Sequence, residues 1–252
     1  MTSTIYVNNG QFIAGTTLKD ELSPDQFNMG LHVTKAPQAV ISNRIKLATS
    51  LNCSVSQLVC ANQTHSANFY KVTQADWGRG ATDLTTAIPD TDALYTFESG
   101  TILTSFSADC VPVILYSEVD GVVAVVHSGW QGTVKEITLK LLQHLQQEEN
   151  CDLTNMHIII GTALSQLKFE VDQDVYDKFK ALGYADSYMY FNEETNKYHI
   201  DNQLTVRQQC LLAGVPEQNI TIDKTCTFQR PDGFSYRQQR DTGRHCSFIL
   251  KK

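Results

Sequence analysis

A thiol and an imidazole stand at the two outer ends of the most apolar stretch of this chain. Cys110 opens the run Cys110-Val111-Pro112-Val113-Ile114-Leu115-Tyr116, and His127 closes the run Gly121-Val122-Val123-Ala124-Val125-Val126-His127. Ser117-Glu118-Val119-Asp120 joins them, and two β-branched runs around a short polar link read as a β-hairpin. The first and last residues of an antiparallel hairpin lie at one end of a sheet, so the two side chains meet there. Such a pair can ligate a metal ion or form a nucleophile with its base. Asp109, beside Cys110, is a carboxylate at a strand end, a poor choice for a core and a reasonable one for a site.

Register decides how closely the pair meets. Direct pairing of Cys110 with His127 centres the turn between Glu118 and Val119 and brings their Cβ atoms to about 4.5–5.5 Å. A two-residue turn at Asp120-Gly121, a strong type I′ signal, instead sets His127 opposite Ile114 and leaves Cys110 roughly 13 Å away along the strand. The spacing leaves both registers open.

His127 leads into Ser128-Gly129-Trp130-Gln131-Gly132. Glycines in a strand-to-helix turn let backbone approach a ligand closely, and the N–H groups at the helix start can hold an anion such as phosphate. His65 lies in the loop Asn62-Gln63-Thr64-His65 after a predicted strand Val55–Ala61. Read alone, it is a surface histidine, as are His32, His144, His157, His199 and His245. Arg44 and Arg240 read as solvated surface groups, whereas Arg237 and Arg244 lie in Gly- and Ser-bearing segments that suit anion binding.

The elements that must position these groups follow from periodicity. Thr101–Ser105 reads as a strand. Gly132-Thr133 opens a helix with Val134, Ile137, Leu141, Leu142 and Leu145 at helical spacing, ended by the polar run Gln146–Asn150. Met156–Gly161 reads as a buried strand. Asp172–Leu182 and Gln203–Ala213 read as helices, each stopped by a glycine. Ile220–Asp223 and the end of the segment Phe234–Leu250 return to strands. Trp77-Gly78-Arg79-Gly80-Ala81-Thr82 reads as a flexible loop, able to serve as a lid. Strands and helices alternate without repeat or linker. That predicts a single α/β domain over residues 1–252, with mixed β-sheets flanked by helices.

Composition narrows the function classes. A hydrophobic share of 42% against 19% charged residues gives core enough to exclude disorder. The net charge of −7, without a basic stripe, argues against a nucleic-acid partner. Met1–Gly10 has neither the basic nor the apolar region of a signal peptide, and no apolar stretch reaches the roughly 20 residues of a membrane span. The seven cysteines are scattered singly with no CxxC pair, which predicts reduced thiols and a cytoplasmic protein. A monomer is the expectation.

Six segments, in order over nearly the whole chain from about residue 40, carry a resemblance. They are Asn43-Arg44, Gln63-Thr64-His65, Thr91–Thr96, Ser107–Val113, His127–Thr133, and Cys226-Thr227 with Ser235-Tyr236-Arg237 and Thr242-Gly243-Arg244. The chain resembles the laccase-domain proteins, also called multicopper polyphenol oxidoreductase-like proteins and, more recently, purine nucleoside phosphorylases. The resemblance implies an α+β layered sandwich in which His65, Cys110 and His127 bind one zinc ion, with copper as an alternative metal. It implies phosphorolysis of adenosine, inosine and methylthioadenosine, and deamination of adenosine. It implies substrate or phosphate contacts for Asn43, Arg44, Gln63, Ser128, Arg237 and Arg244. Asp109 would orient a ligand or relay a proton. The chain departs from the family pattern at Gln131, Thr162 and Gln238, and the first and last of these replace arginines.

The residues also allow a metal-free cysteine hydrolase with Cys110 as nucleophile and His127 as base. A copper-dependent polyphenol oxidase would follow the older family name, although seven histidines without a His-x-His pair are few for multicopper chemistry. A non-catalytic protein that kept the fold is the remaining alternative.

Overall fold

Successive residues of a strand face opposite ways, and the apolar runs of this chain are buried on both faces. The structure, a computed structural model, describes residues 2–252. In chain order the strands are β1 (Ser3–Asn8), β2 (Phe12–Thr17), β3 (Leu58–Val59), β4 (Phe69–Lys71), β5 (Ala93–Thr96), β6 (Ile102–Ser107) and β7 (Val111–Tyr116). They continue with β8 (Val123–Ser128), β9 (His157–Ile160), β10 (Glu170–Val171), β11 (Met189–Asn192), β12 (Lys197–Ile200), β13 (Ile220–Ile222) and β14 (His245–Lys251). The helices are α1 (Pro37–Ser50), α2 (Trp130–Val134), α3 (Ile137–Gln147), α4 (Gln173–Lys180) and α5 (Asn202–Ala213).

Two larger sheets stack face to face. One runs in the order β1-β2-β14-β6-β3 and the other in the order β13-β9-β7-β8-β5-β4, both mixing parallel and antiparallel pairs. Between them pack Phe12, Ala14, Leu103 and Ile249 of the first sheet and Ile114, Val123, Val125 and Ile159 of the second. The intervening residues of the second sheet, Val113, Leu115, Ala124 and Val126, face Ile137, Leu141 and Leu142 of α3 and Val206 and Cys210 of α5. On the opposite side Leu47 and Ala48 of α1 cover Leu58, Ile102, Phe248 and Leu250. The layers are therefore helix, sheet, sheet, helix: the α+β sandwich that the resemblance implies. Alternation along β8 sets His127 on the face of Val123 and Val125, toward the first sheet, so the imidazole points into the seam at the sheets' edge.

A third sheet, β10-β12-β11, packs with α4 around a small separate core of Val171, Phe179, Ala185 and Ile200. Periodicity foresees α4 but not this sheet, whose strands are two to four residues long.

Several predicted elements shift. The helix after His127 begins at Trp130 rather than Gly132 and breaks at Glu136, whose φ is 62°, before α3 resumes. The segment Val55–Ala61 holds only the short strand Leu58–Val59 behind a 3-10 turn. Most of Phe234–Leu250 is loop, and the strand starts at His245. The Trp77 loop is no lid: the Trp77 indole donates to Thr101 Oγ1 at 2.9 Å, and the carbonyls of Gly80 and Ala81 accept from Arg44.

Candidate metal centre

The hairpin adopts neither expected register. Pro112 pairs with His127 and Val113 with Val126. Ser117 N donates to Val122 O at 3.0 Å, closing a loop with Glu118–Gly121 at its tip, and Ser117 Oγ donates to Asp120 Oδ2. Asp120-Gly121 is thus the second half of a wider loop, not a two-residue turn. Cys110 lies just ahead of β7 and reaches across the end of the sheet toward His127.

His65 arrives from the loop after β3. Its φ of 60° is left-handed, a conformation that histidine adopts more readily than most residues. The carboxylate of Asp92 holds it there. Thr64 N and His65 N donate to Asp92 at 3.1 Å each, and Ser66 N and Ser66 Oγ donate at 2.7 Å each. The same carboxylate lies 2.8 Å from His127 Nδ1. Asp92 is 2% exposed and surrounded by donors, so His127 presents Nδ1–H to it and leaves Nε2 free to face the site. Asp92 therefore orients one histidine through its ring and the other through its backbone.

The three donor atoms converge. His65 Nε2 and Cys110 Sγ are 3.9 Å apart, and the donors of His65, Cys110 and His127 all lie within 4.8 Å of one another. The 3.9 Å gap is short enough for one ion to be bonded to both atoms at the usual zinc distances of about 2.3 Å to sulfur and 2.0–2.1 Å to nitrogen. Gly129 makes room: a Cβ there would stand 2.7 Å from His65 Cδ2 and 3.0 Å from Cys110 Sγ. Close approach rather than backbone conformation requires this glycine, because its φ is an ordinary −62°.

Electrostatics favour the ligating form of the thiol. Burial alone raises the Cys110 thiol, but the facing His127 and His65 outweigh it and bring it down. Burial alone lowers His127, and the Cys110 and Asp92 charges reverse that and raise it. Burial also opposes the charge of Asp92, yet the bonds from His127 and Ser66 hold its carboxyl down at about 2. A thiolate and two imidazoles from three separate segments suit zinc or copper, and three ligands leave a coordination position open.

The three residues line a cavity of about 910 Å³. Its wall includes His65, Cys110, His127, Asp109 and Gln63, and also Arg237, Arg240 and Arg244 on the C-terminal loop. Phe106, Trp130, Phe169 and Tyr236 offer aromatic surface. Gln63 reaches the wall while its amide pairs with β6, donating to Phe106 O and accepting from Phe106 N at 2.8 Å each. The Asp109 carboxylate accepts from Thr227 Oγ1 and from Arg237 N, each at 2.6 Å.

Asn43, Arg44 and Ser128, which the resemblance implies as substrate contacts, lie outside the cavity wall. Asn43 Nδ2 donates to Pro24 O and Asn28 O, and Ser128 Oγ pairs with Thr133 Oγ1. Arg44 is 2% exposed, its guanidinium donates to the carbonyls of Met29, Gly80 and Ala81, and it stacks over Phe106 at 4.6 Å. Backbone carbonyls thus engage its Nε, Nη1 and Nη2. Gln131 and Gln238 also lie off the wall. Reading single motifs misses Asp92, whose partners come from two other segments, and Arg240, whose sequence resembles any surface arginine. It also misses Asn202, which lines the cavity, donates to Ser128 O at 3.3 Å and keeps Oδ1 buried without a partner.

A family model of multi-copper polyphenol oxidoreductase laccases matches residues 15–252. A protein of Bacillus subtilis named purine nucleoside phosphorylase YlmD is 33% identical over 97% of this chain and 90% of its own length. Its namesake in Geobacillus stearothermophilus is 36% identical over 89% of this chain and 83% of its own. The crystal structure of the Bacillus licheniformis hypothetical protein YfiH superposes with a TM-score of 0.92 at 31% identity, over 98% of this chain and 99% of that one. The chain belongs to the multi-copper polyphenol oxidoreductase laccase family.

Proposed function

We propose that this protein is a zinc-dependent purine nucleoside phosphorylase acting on adenosine, inosine and methylthioadenosine. The observation that carries the reading is the convergence of His65, Cys110 and His127 beneath a cavity walled by three arginines, in a chain one-third identical to relatives bearing that name. When bound there, zinc supplies a Lewis acid with an open position. The chain's own residues do the rest. Asp92 keeps Nδ1–H of His127 engaged, so that its Nε2 lone pair stays available. Arg237, Arg240 and Arg244 meet the phosphate, for which the guanidinium fork is suited. Phe106, Trp130, Phe169 and Tyr236 take the purine and ribose faces and exclude water. Phosphate oxygen bonds to the ribose C1′ as the C1′–N bond to the base breaks, and the base leaves with the phosphate's proton.

A second activity in the same cavity is deamination of adenosine, in which water adds to the purine and ammonia leaves; a metal held by His65, Cys110 and His127 would supply the Lewis acid for it. The test is product analysis on adenosine. Phosphate-dependent release of adenine, lost in Cys110→Ala and on chelation, supports phosphorolysis. Inosine formed without phosphate is the deaminase activity. Turnover that survives chelation, with Cys110 trapped by an alkylating agent, would favour the cysteine hydrolase. Phenol oxidation by the copper-loaded protein would favour the oxidase.

A further inference from the structure

Asp109 immediately precedes the metal ligand Cys110, yet its carboxylate faces the C-terminal segment. One oxygen accepts from Thr227 Oγ1 and the other from the backbone amide of Arg237, each at 2.6 Å. Its own carbonyl accepts from Leu164 N at 3.0 Å, and Thr227 N donates to Ala163 O at 3.0 Å. Asp109 is thus the point at which three remote segments are tied to the residue beside Cys110. It does so with φ of 92°, a left-handed backbone that an aspartate keeps only where its surroundings enforce it.

The tied segment carries Arg237 and Arg240, whereas the Arg244 backbone is held separately, its N–H donating to Asn28 Oδ1 at 2.8 Å and its carbonyl accepting from Met29 N at 3.0 Å. Tyr236 through Asp241 are exposed. This stretch meets the rest of the protein through the Arg237 amide on Asp109 and the Arg237 guanidinium on Glu170 O at 3.0 Å. A carboxylate accepting a backbone amide makes a charge-assisted bond, stronger than a neutral one. Removing it frees the arginine loop without touching a guanidinium or a metal ligand.

Resting on the phosphorylase reading of the cavity, we propose that Asp109 is a positioning residue for inorganic phosphate. It clamps the Arg237 amide and Thr227 so that Arg237 and Arg240 are held at the wall of the cavity that Cys110 also lines. Asp109 transfers no proton; both its oxygens accept from the clamp.

Three variants test this. Asp109→Ala removes both bonds. Asp109→Asn tolerates the same backbone and keeps both bonds in neutral form, because its oxygen can accept from Arg237 N while its amide donates to the Thr227 hydroxyl. Thr227→Val loosens the clamp from a buried position outside the cavity wall. In the metal-loaded protein, Asp109→Ala should raise the phosphate KM at least ~10-fold, the size of one lost charge-assisted bond. The nucleoside KM should stay within about 2-fold, as for a loss confined to anion binding. Thr227→Val should move the phosphate KM the same way by less, and Asp109→Asn should restore most of it. Amide hydrogen exchange over residues 235–241 should quicken in Asp109→Ala and not in Asp109→Asn. Calorimetric titration of inorganic phosphate without nucleoside separates this proposal from the proposed function: weaker binding in Asp109→Ala supports the clamp even where no nucleoside turns over. Equal phosphate affinity and unchanged exchange in all variants would overturn it. So would a kcat loss as deep in Asp109→Asn as in Asp109→Ala with the phosphate KM unmoved, because an amide cannot relay a proton.

Discussion

Asp92 accepts from the backbone of Thr64 and His65, from Ser66, and from the ring of His127. It is therefore the residue on which ligand geometry depends. Losing a partner of this kind typically costs 10–100-fold in metal affinity, so Asp92→Asn should weaken zinc binding by about that factor in competition with a chromophoric chelator, while the far-ultraviolet spectrum stays unchanged. Protonation follows from the shifted pair. In the metal-free protein Cys110 is lowered and His127 raised, so at neutral pH the thiol is already ionised and the imidazole still holds a proton. Metal uptake should release that proton. Calorimetry in buffers of different ionisation enthalpy should find it, and affinity should rise with pH until His127 is neutral; affinity independent of pH between 6 and 8 would contradict the pairing. At this scale Cys110 and His127 are legible in the sequence because a hairpin brings the outer ends of its two strands together. His65 becomes legible only through its surrounding motif. Asp92 is not, because its role depends on three segments meeting in space.

Elements hold these residues by close approach as much as by hydrogen bonds. Gly129, between β8 and α2, leaves no room for a methyl group beside His65 and Cys110. Gly129→Ala should lower metal affinity, read by the same competition, with a melting temperature near the parent's. Should the Gly129→Ala variant bind metal as tightly as the parent, the donors must sit elsewhere. Helix α1 is pinned to the Trp77 loop and to Met29 by Arg44. Arg44→Met strands three buried carbonyls, and each unpaired group costs about 1–3 kcal/mol. Denaturant unfolding should show a loss of at least about 3 kcal/mol, with the phosphate KM unchanged in whatever protein remains folded. Nothing in the sequence separates a buried arginine from a solvated one, which is why Arg44 reads as a surface group and a substrate contact there is implied by the resemblance alone. The hairpin register was open for a related reason: Asp120-Gly121 fits both a two-residue turn and the end of a longer loop, and Ser117 with Val122 decides between them.

Across the whole molecule, the layered architecture follows from period-two strands and the amphipathic helix α3, both readable in the sequence. Strands β1 and β2 and the two-residue strands belong to sheets completed by distant segments, and local pattern does not reveal them. Among the described residues no helix is long and apolar enough to cross a membrane. His245 locks the C-terminal strand to two other parts of the chain: its Nδ1 donates to Thr17 O, and its Nε2 accepts from Phe234 N, each at 2.7 Å. Burial lowers it to about 4. The unfolded chain takes up this proton near pH 6.5, well before the folded one, so the contribution is full above about 6.5 and is lost as pH falls toward 4. Urea unfolding should show the parent losing up to about 3 kcal/mol more than His245→Gln over that window. Equal losses would mean that the imidazole is not held neutral. The central claim, that a metal centre and an arginine wall together perform phosphorolysis, is tested most directly by one assay. Protein carrying about one zinc per chain is given adenosine with and without inorganic phosphate, and free adenine is quantified. Adenine released only with phosphate, and absent from Cys110→Ala, is the predicted result. A zinc-loaded protein that releases neither adenine nor inosine would contradict it.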